Sequence, residues 1–238
     1  MTGHHRSRLS SQYTNKSRTM LIQRMAVLAS LALVTAACAD SPVLVTHPTS
    51  AVRVINASRA PFDILIDGAV ASSSVGVASV STALPVAAGA HVVGLRAGDG
   101  TLTNFNVQVA DNQPVTTVAF PGAGSSFVAS VLVDTGSIVP AGKSKLRVSH
   151  LAGGAAAIEF WRTQPDFQTP VHIMTPFLYK ATSPYLQSDP GTWEVFVTSP
   201  GGTAKLATTG PVAVPAGERR TVALVDSAGV MKFLVIGQ

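Results

Sequence analysis

The sequence predicts an all-β protein, two tandem antiparallel β-sandwiches behind an N-terminal signal peptide, and three observations carry that reading. Short runs alternate apolar and polar residues with a period of two. Gly, Pro and Asp punctuate those runs at regular intervals. The second half of the chain then repeats the pattern of the first. The composition agrees, with 15 prolines, 20 glycines and only 12% charged residues in 238. Such a mix suits a β-rich globular chain better than a helical or disordered one.

The first 37 residues read as a targeting segment. Arg18 and Arg24 give a basic start, Met25 to Val34 is an uncharged apolar run, and Thr35-Ala36-Ala37 leads into Cys38. That run is shorter than the roughly 20 residues a bilayer span needs, and it has the length and order of a signal peptide. Residues 1–19 form an upstream extension, with Met20 an alternative start. The small residues ending in cysteine resemble a lipobox. That resemblance implies cleavage before Cys38 and lipidation of its thiol and its new amino group. Ordinary signal-peptidase cleavage nearby is the rival. Cys38 is the sole cysteine, so no internal disulfide can form. Residues 38–50, with two prolines, read as a tether holding the folded part off a membrane.

Charge placement excludes a nucleic-acid partner. Arg6, Arg8, Lys16, Arg18 and Arg24 all precede Cys38, with no acid among them. The rest of the chain has 12 Lys and Arg against 12 Asp and Glu, so the formal +5 belongs to the targeting segment. A protein that tracks phosphates carries its cations on the folded domain.

After the tether, strands are expected at Ala51–Ile55, Phe62–Ile66, His91–Leu95, Phe105–Val109, Val115–Ala119 and Phe127–Val133, with Ala69 to Val80 as strand and loop. Asp67-Gly68 and Asp99-Gly100 read as hairpin turns. In the second half, Leu146–His150 matches Val52–Asn56, Ile158–Trp161 matches Phe62–Leu65, Pro190–Val195 matches Ala88–Val93, and Thr221–Leu224 matches Thr117–Phe120. The repeats are therefore 51–137 and 145–238, with 138–144 as linker. Each is close to the size of an immunoglobulin-like sandwich and is expected to hold its own core.

Repeats that open with Val52-Arg53-Val54-Ile55-Asn56-Ala57-Ser58, with the strand Phe62 to Gly68 after them, resemble the family called domain of unknown function 4397. The small-small-Gly before a later strand recurs as Ala87-Ala88-Gly89 and Pro215-Ala216-Gly217. The second repeat departs from the motif, with Leu151-Ala152-Gly153-Gly154 in place of Ala-Ser and the residues next to it. The resemblance implies tandem sandwich modules on exported bacterial lipoproteins. It implies no activity and transfers no catalytic residue.

No catalytic set is legible. Gly122-Ala123-Gly124-Ser125-Ser126 lacks the spacing of a nucleophile elbow. His47, His91, His150 and His172 are not paired at metal-ligand spacing. No enzyme, cofactor or metal is expected. His150 stands where the first repeat has Asn56, and turn capping explains both. Asp63 and Glu159 match across the repeats and read as solvated strand residues. Arg53 and Arg147 also match, pairing with a nearby acid or carbonyl, with ligand binding as the alternative.

Aromatics are uneven, four in the first repeat against nine in the second. Ile158 and Phe160 share one strand face, Glu159 and Trp161 the other. Residues 162–184 form a longer connection carrying Phe167, Phe177 and Tyr179. Trp161, Phe177 and Tyr179 are the candidate ligand site, while the favoured reading is that the loop folds over Trp161 as a satellite core. The expectation is a non-enzymatic envelope lipoprotein, outer-membrane or surface rather than inner-membrane. It would interact with an envelope protein, or alternatively bind a polysaccharide or another cell-wall ligand.

Overall fold

The computed structural model describes residues 49–132 and 138–237. The signal peptide, Cys38, His47 and nearly all of the tether lie outside the described residues. From Thr49 the first repeat runs β1 (Thr49–Asn56), β2 (Phe62–Ile66), β3 (Ala69–Val75), β4 (Ser79–Val80), β5 (Leu84–Ala87), β6 (Gly89–Ala97), β7 (Leu102–Val109), β8 (Val115–Pro121) and β9 (Phe127–Leu132). The second runs β10 (Ser144–His150), β11 (Ala157–Thr163), β12 (Val171–Leu178), β13 (Leu186–Ser188), β14 (Gly191–Thr198), β15 (Lys205–Thr208), β16 (Val212–Val214), β17 (Arg219–Ser227) and β18 (Val230–Gly237). No helix occurs among the described residues.

Each repeat folds into two sheets. In the first, an outer sheet β3-β2-β6-β7 covers an inner sheet β4-β1-β8-β9, with β5 also on β1. In the second, the outer sheet is β12-β11-β14-β15, with β16 on β14, and the inner sheet is β13-β10-β17-β18. The period-two pattern dictates what lies between them. Val52, Val54, Ile64, Val93, Leu95 and Val107 fill the first core, and Val148, Ile158, Phe160, Val195, Val197 and Leu224 the second.

The Asp67-Gly68 turn forms as expected. Both residues have positive φ, 51° and 85°, the pairing that a two-residue hairpin of the twist-matched type requires. Asp67 also accepts the Val92 amide at 2.9 Å, tying the turn to β6.

Three features depart from the sequence reading. First, the sheets are not wholly antiparallel: β1 runs parallel to β8, and β10 parallel to β17. Long connections through the other sheet separate these partners, and such crossovers permit parallel pairing, which a tight hairpin forbids. Second, the match of Thr221–Leu224 to Thr117–Phe120 slips by one residue. Arg53 lies beside Thr116 and Arg147 beside Thr221, so Thr221 corresponds to Thr116. A slip of one exchanges the two faces of a strand. Val118 accordingly turns away from the first core, whereas Val222 lines the second.

Third, the repeats share a further core. Ile55, Val118, Phe120 and Leu132 of the first inner sheet pack with Leu151, Ala223, Val225 and Ile236 of the second repeat. The two inner sheets thus face one another across an apolar seam, and the described residues of both repeats fall in one compact unit. Seven consecutive residues of β10 and six of β8 are buried, as expected for strands covered on both faces.

Candidate functional site

The three aromatics singled out from the sequence do not converge. Phe177 lies in the core of the second repeat, 2% exposed, its ring edge-on to Phe160 at 5.3 Å. Tyr179, three residues after Pro176, is beyond the end of β12 and packs into the seam, edge-on to Phe120 at 5.9 Å and to His150 at 6.1 Å. A ligand site joining them to Trp161 does not exist, because β12 alternates its faces and the chain then turns towards the first repeat.

Trp161 does sit on the outer face of β11, opposite Ile158 and Phe160, as the alternation requires. It is half-buried in a row of rings running across the sheet. His172, its cross-strand neighbour on β12, stacks on it at 4.2 Å and 21°. Phe196, its neighbour on β14, lies parallel at 5° with centroids 6.1 Å apart. The indole Nε1 donates to Thr198 Oγ1 at 3.2 Å. Phe167, from the connection after β11, packs on Phe196 at 5.8 Å, and Lys205 Nζ lies 3.2 Å above the Phe167 ring. His172 covers one face of the indole, and Phe196 is itself buried. What this surface offers is the part-exposed indole, the exposed His172 ring on it and the cation–π pair of Lys205 and Phe167.

The corresponding place in the first repeat carries no aromatic ring. Leu65 occupies the Trp161 position, Val70 that of His172 and Gly94 that of Phe196, by strand register. A Cβ on Gly94 would lie 3.3 Å from Leu65 Cβ and 2.8 Å from Asn104 Oδ1. The outer faces of the two repeats therefore differ in chemistry although their frameworks match.

The matched carboxylates are partnered rather than simply solvated. Asp63 takes Arg96 at 2.7 Å and the Ser74 amide at 2.9 Å. The Arg96 hydrogen bond, then the amide, holds its pKa below the usual carboxylate value. Glu159, 13% exposed at the side chain, accepts the Gly201 amide at 3.1 Å and lies 3.6 Å from His172. Arg96 carries no motif that would single it out in the sequence, but its place opposite Asp63 is fixed once β2 and β6 are paired. The matched arginines serve the fold. Arg53 Nη1 donates to the Gly237 carbonyl at 2.7 Å, crossing the seam. Arg147 Nε donates to Thr221 Oγ1 at 3.1 Å, and its guanidinium lies 4.5 Å over Tyr185.

Asn56 and His150 both cap turns. Asn56 Nδ2 donates to the Ala60 and Val75 carbonyls, both at 2.9 Å, and its Oδ1 accepts the Ser58 amide at 3.0 Å. His150, fully buried, places Nε2 3.0 Å from the Ala155 carbonyl. Desolvation there pushes its pKa below the ordinary 6.5. His91 moves the other way. Asp67 Oδ2 at 2.7 Å, then the Ala87 carbonyl at 2.9 Å, both favour the protonated ring.

The two histidines therefore have opposite linkage signs. His91 contributes stability fully below pH 6.5, lost as pH rises through its folded value. His150 stays neutral in the fold, so its contribution is present above 6.5 and is lost as pH falls towards its folded value. A proton NMR titration of the imidazoles is expected to give His91 above 6.5 and His150 below it. His150→Asn, which restores the residue of the first repeat, is expected to remove the acid-side loss in denaturation midpoints. Titration of both rings near 6.5 would contradict these environments.

Among the described residues no three His, Cys, Asp or Glu side chains gather as metal ligands would. Comparison with curated proteins gives no match. A family model does match: residues 50–161 fit the one described as "Domain of unknown function (DUF4397)". The match takes in the whole first repeat, β10 and most of β11, the region whose opening motif carried the resemblance. Over residues 50–161, this chain is similar to the DUF4397 family of domains of unknown function.

Proposed function

We propose that the chain is a non-enzymatic lipoprotein of a bacterial-type cell envelope, held by lipid on Cys38, with the β-sandwich repeats acting as an interaction or structural unit outside the cytoplasm. The observation that carries the non-enzymatic part is where the shifted carboxylates lie. Asp63 is held by Arg96 of the paired strand, Asp67 by His91, Asp99 by Ser125 and then Thr101, and Asp189 by Lys143. Perturbed groups in an active site converge on one cleft, whereas each of these has a local structural partner. The address rests on the basic start, the short apolar run and the small residues before Cys38. In this reading residues 38–50 are the tether, and the location is the outer membrane or cell surface rather than the inner membrane.

The partner face is the outer sheet of the second repeat, where Trp161, His172 and Lys205 stand on strands and Phe167 comes from the connection after β11. An envelope protein suits this rim better than a polysaccharide, because His172 already stacks on the Trp161 ring that a sugar would use. Cys38→Ser is expected to move the protein from the membrane fraction to the soluble fraction, or to leave an unprocessed precursor, and to abolish labelling by radioactive palmitate. Several acyl chains anchor firmly where one alone is marginal. A fully processed Cys38→Ser protein that stays membrane-bound would refute the anchor.

A further inference from the structure

Where the two repeats meet, a cleft of about 650 Å³ opens at one end of the seam. Loops from both repeats build it. The first contributes Arg59 after β1, Val77 between β3 and β4, and Pro121 at the end of β8. The second contributes Gly153 and Gly154 after β10, Tyr179, and the β17–β18 turn from Asp226 to Gly229. This volume lies within the range that takes a small organic ligand, and junctions between modules are where such sites occur.

Its chemistry is divided. The Tyr179 ring, Val77 and Pro121 give an apolar surface. Arg59 stands exposed on the first repeat's side and makes no ion pair among the described residues. The neighbouring cation Lys180 is engaged instead, with Nζ 4.8 Å over Phe120 and 5.4 Å over Tyr179. Asp226 stands on the second repeat's side. Its Oδ1 accepts the Gly229 amide at 2.8 Å, which fixes the carboxylate and leaves Oδ2 facing the Gly154 backbone. A Cβ on Gly154 would come within 2.7 Å of that oxygen, so glycine is what allows the carboxylate to lie in the wall.

We propose that this cleft binds a short zwitterionic peptide, with its carboxylate on Arg59, its ammonium on Asp226 and an apolar side chain against Tyr179. A guanidinium takes a carboxylate with two parallel hydrogen bonds, and a fixed carboxylate with an unused oxygen accepts from an ammonium. One cation and one anion, supplied by different repeats across an apolar floor, match opposite charges at the two ends of one small molecule. The site depends on both repeats being in place and is independent of the lipid anchor and of the aromatic rim.

Two-dimensional amide NMR of the full chain tests it, with millimolar Ala-Leu-Ala as probe beside its N-acetyl and C-terminal amide forms. The free peptide is expected to shift the amides of Arg59, Gly153, Gly154 and Gly229 saturably. Either cap is expected to weaken binding about tenfold, the usual scale for losing a charge-assisted contact. Arg59→Gln is expected to make binding indifferent to amidation, and Asp226→Asn, which keeps an acceptor for Gly229, indifferent to acetylation. Absence of saturable shifts at these amides, or equal binding of capped and free peptides by the unsubstituted chain, would overturn the proposal.

Discussion

Phe177→Ala is expected to cost about 3–5 kcal/mol of folding stability, the scale for removing a phenyl ring from a packed core. Phe177 is 2% exposed and meets Phe160 edge-on, and Phe160 in turn contacts Phe233 at 6.3 Å. The void would open among Ile158, Val195 and Val197, which β-sheet backbones hold in place, so little collapse can offset it. For a chain of this size the change corresponds to a fall of about 10 °C in melting temperature, measurable by calorimetry. Trp161→Ala is the informative contrast. Its ring loses the contacts with His172 and Phe196 and one hydrogen bond but is half-buried, so about 2 kcal/mol is expected. A Phe177→Ala protein melting within about 2 °C of the parent would remove Phe177 from the core and return it to the surface.

Phe120→Ala carries the second large effect, about 3 kcal/mol, and its reach matters more than its size. Phe120 belongs to the first repeat but is buried against Tyr179 and beneath Lys180 of the second. Both tryptophans, Trp161 and Trp193, lie in the second repeat, so indole fluorescence reports that repeat alone. If the seam couples the halves, Phe120→Ala lowers the fluorescence midpoint together with the circular-dichroism midpoint. A fluorescence midpoint that stays put while the far-ultraviolet signal shifts would show independent halves. The isolated fragments 50–137 and 144–238 each keep their own core residues. Each also exposes its half of the seam, Ile55, Val118 and Phe120 on one and Ala223, Val225 and Ile236 on the other. Both fragments are therefore expected to melt below the whole chain.

Local chemistry was legible in the residues. Alternation placed Ile158 and Phe160 inward and Trp161 outward, because a strand's side chains must point to opposite faces. Asp67-Gly68 declared its turn, because few pairs tolerate two positive φ values. The Asn56 and His150 positions announced a shared capping role, since both offer a side-chain nitrogen to nearby carbonyls. The opening motif identified the family now matched over residues 50–161.

Beyond local reading lay everything set by a second face. The run Val118-Ala119-Phe120 and its counterpart Ala223-Leu224-Val225 are continuously apolar, a pattern that signals burial on both sides, but such a run does not name what covers it. Only the packed structure decided that each covers the other. It also decided that Arg53 bonds across the seam to Gly237, that Phe177 faces inward while Tyr179 leaves its sheet, and that Arg59 and Asp226 line one cleft from opposite repeats. Alternation is fixed within a strand by backbone geometry, so the sequence by itself determined strands, turns and the two repeat cores. Which sheet faces which depends on the burial of apolar area between segments far apart in the chain, a non-directional force whose partners no local pattern specifies.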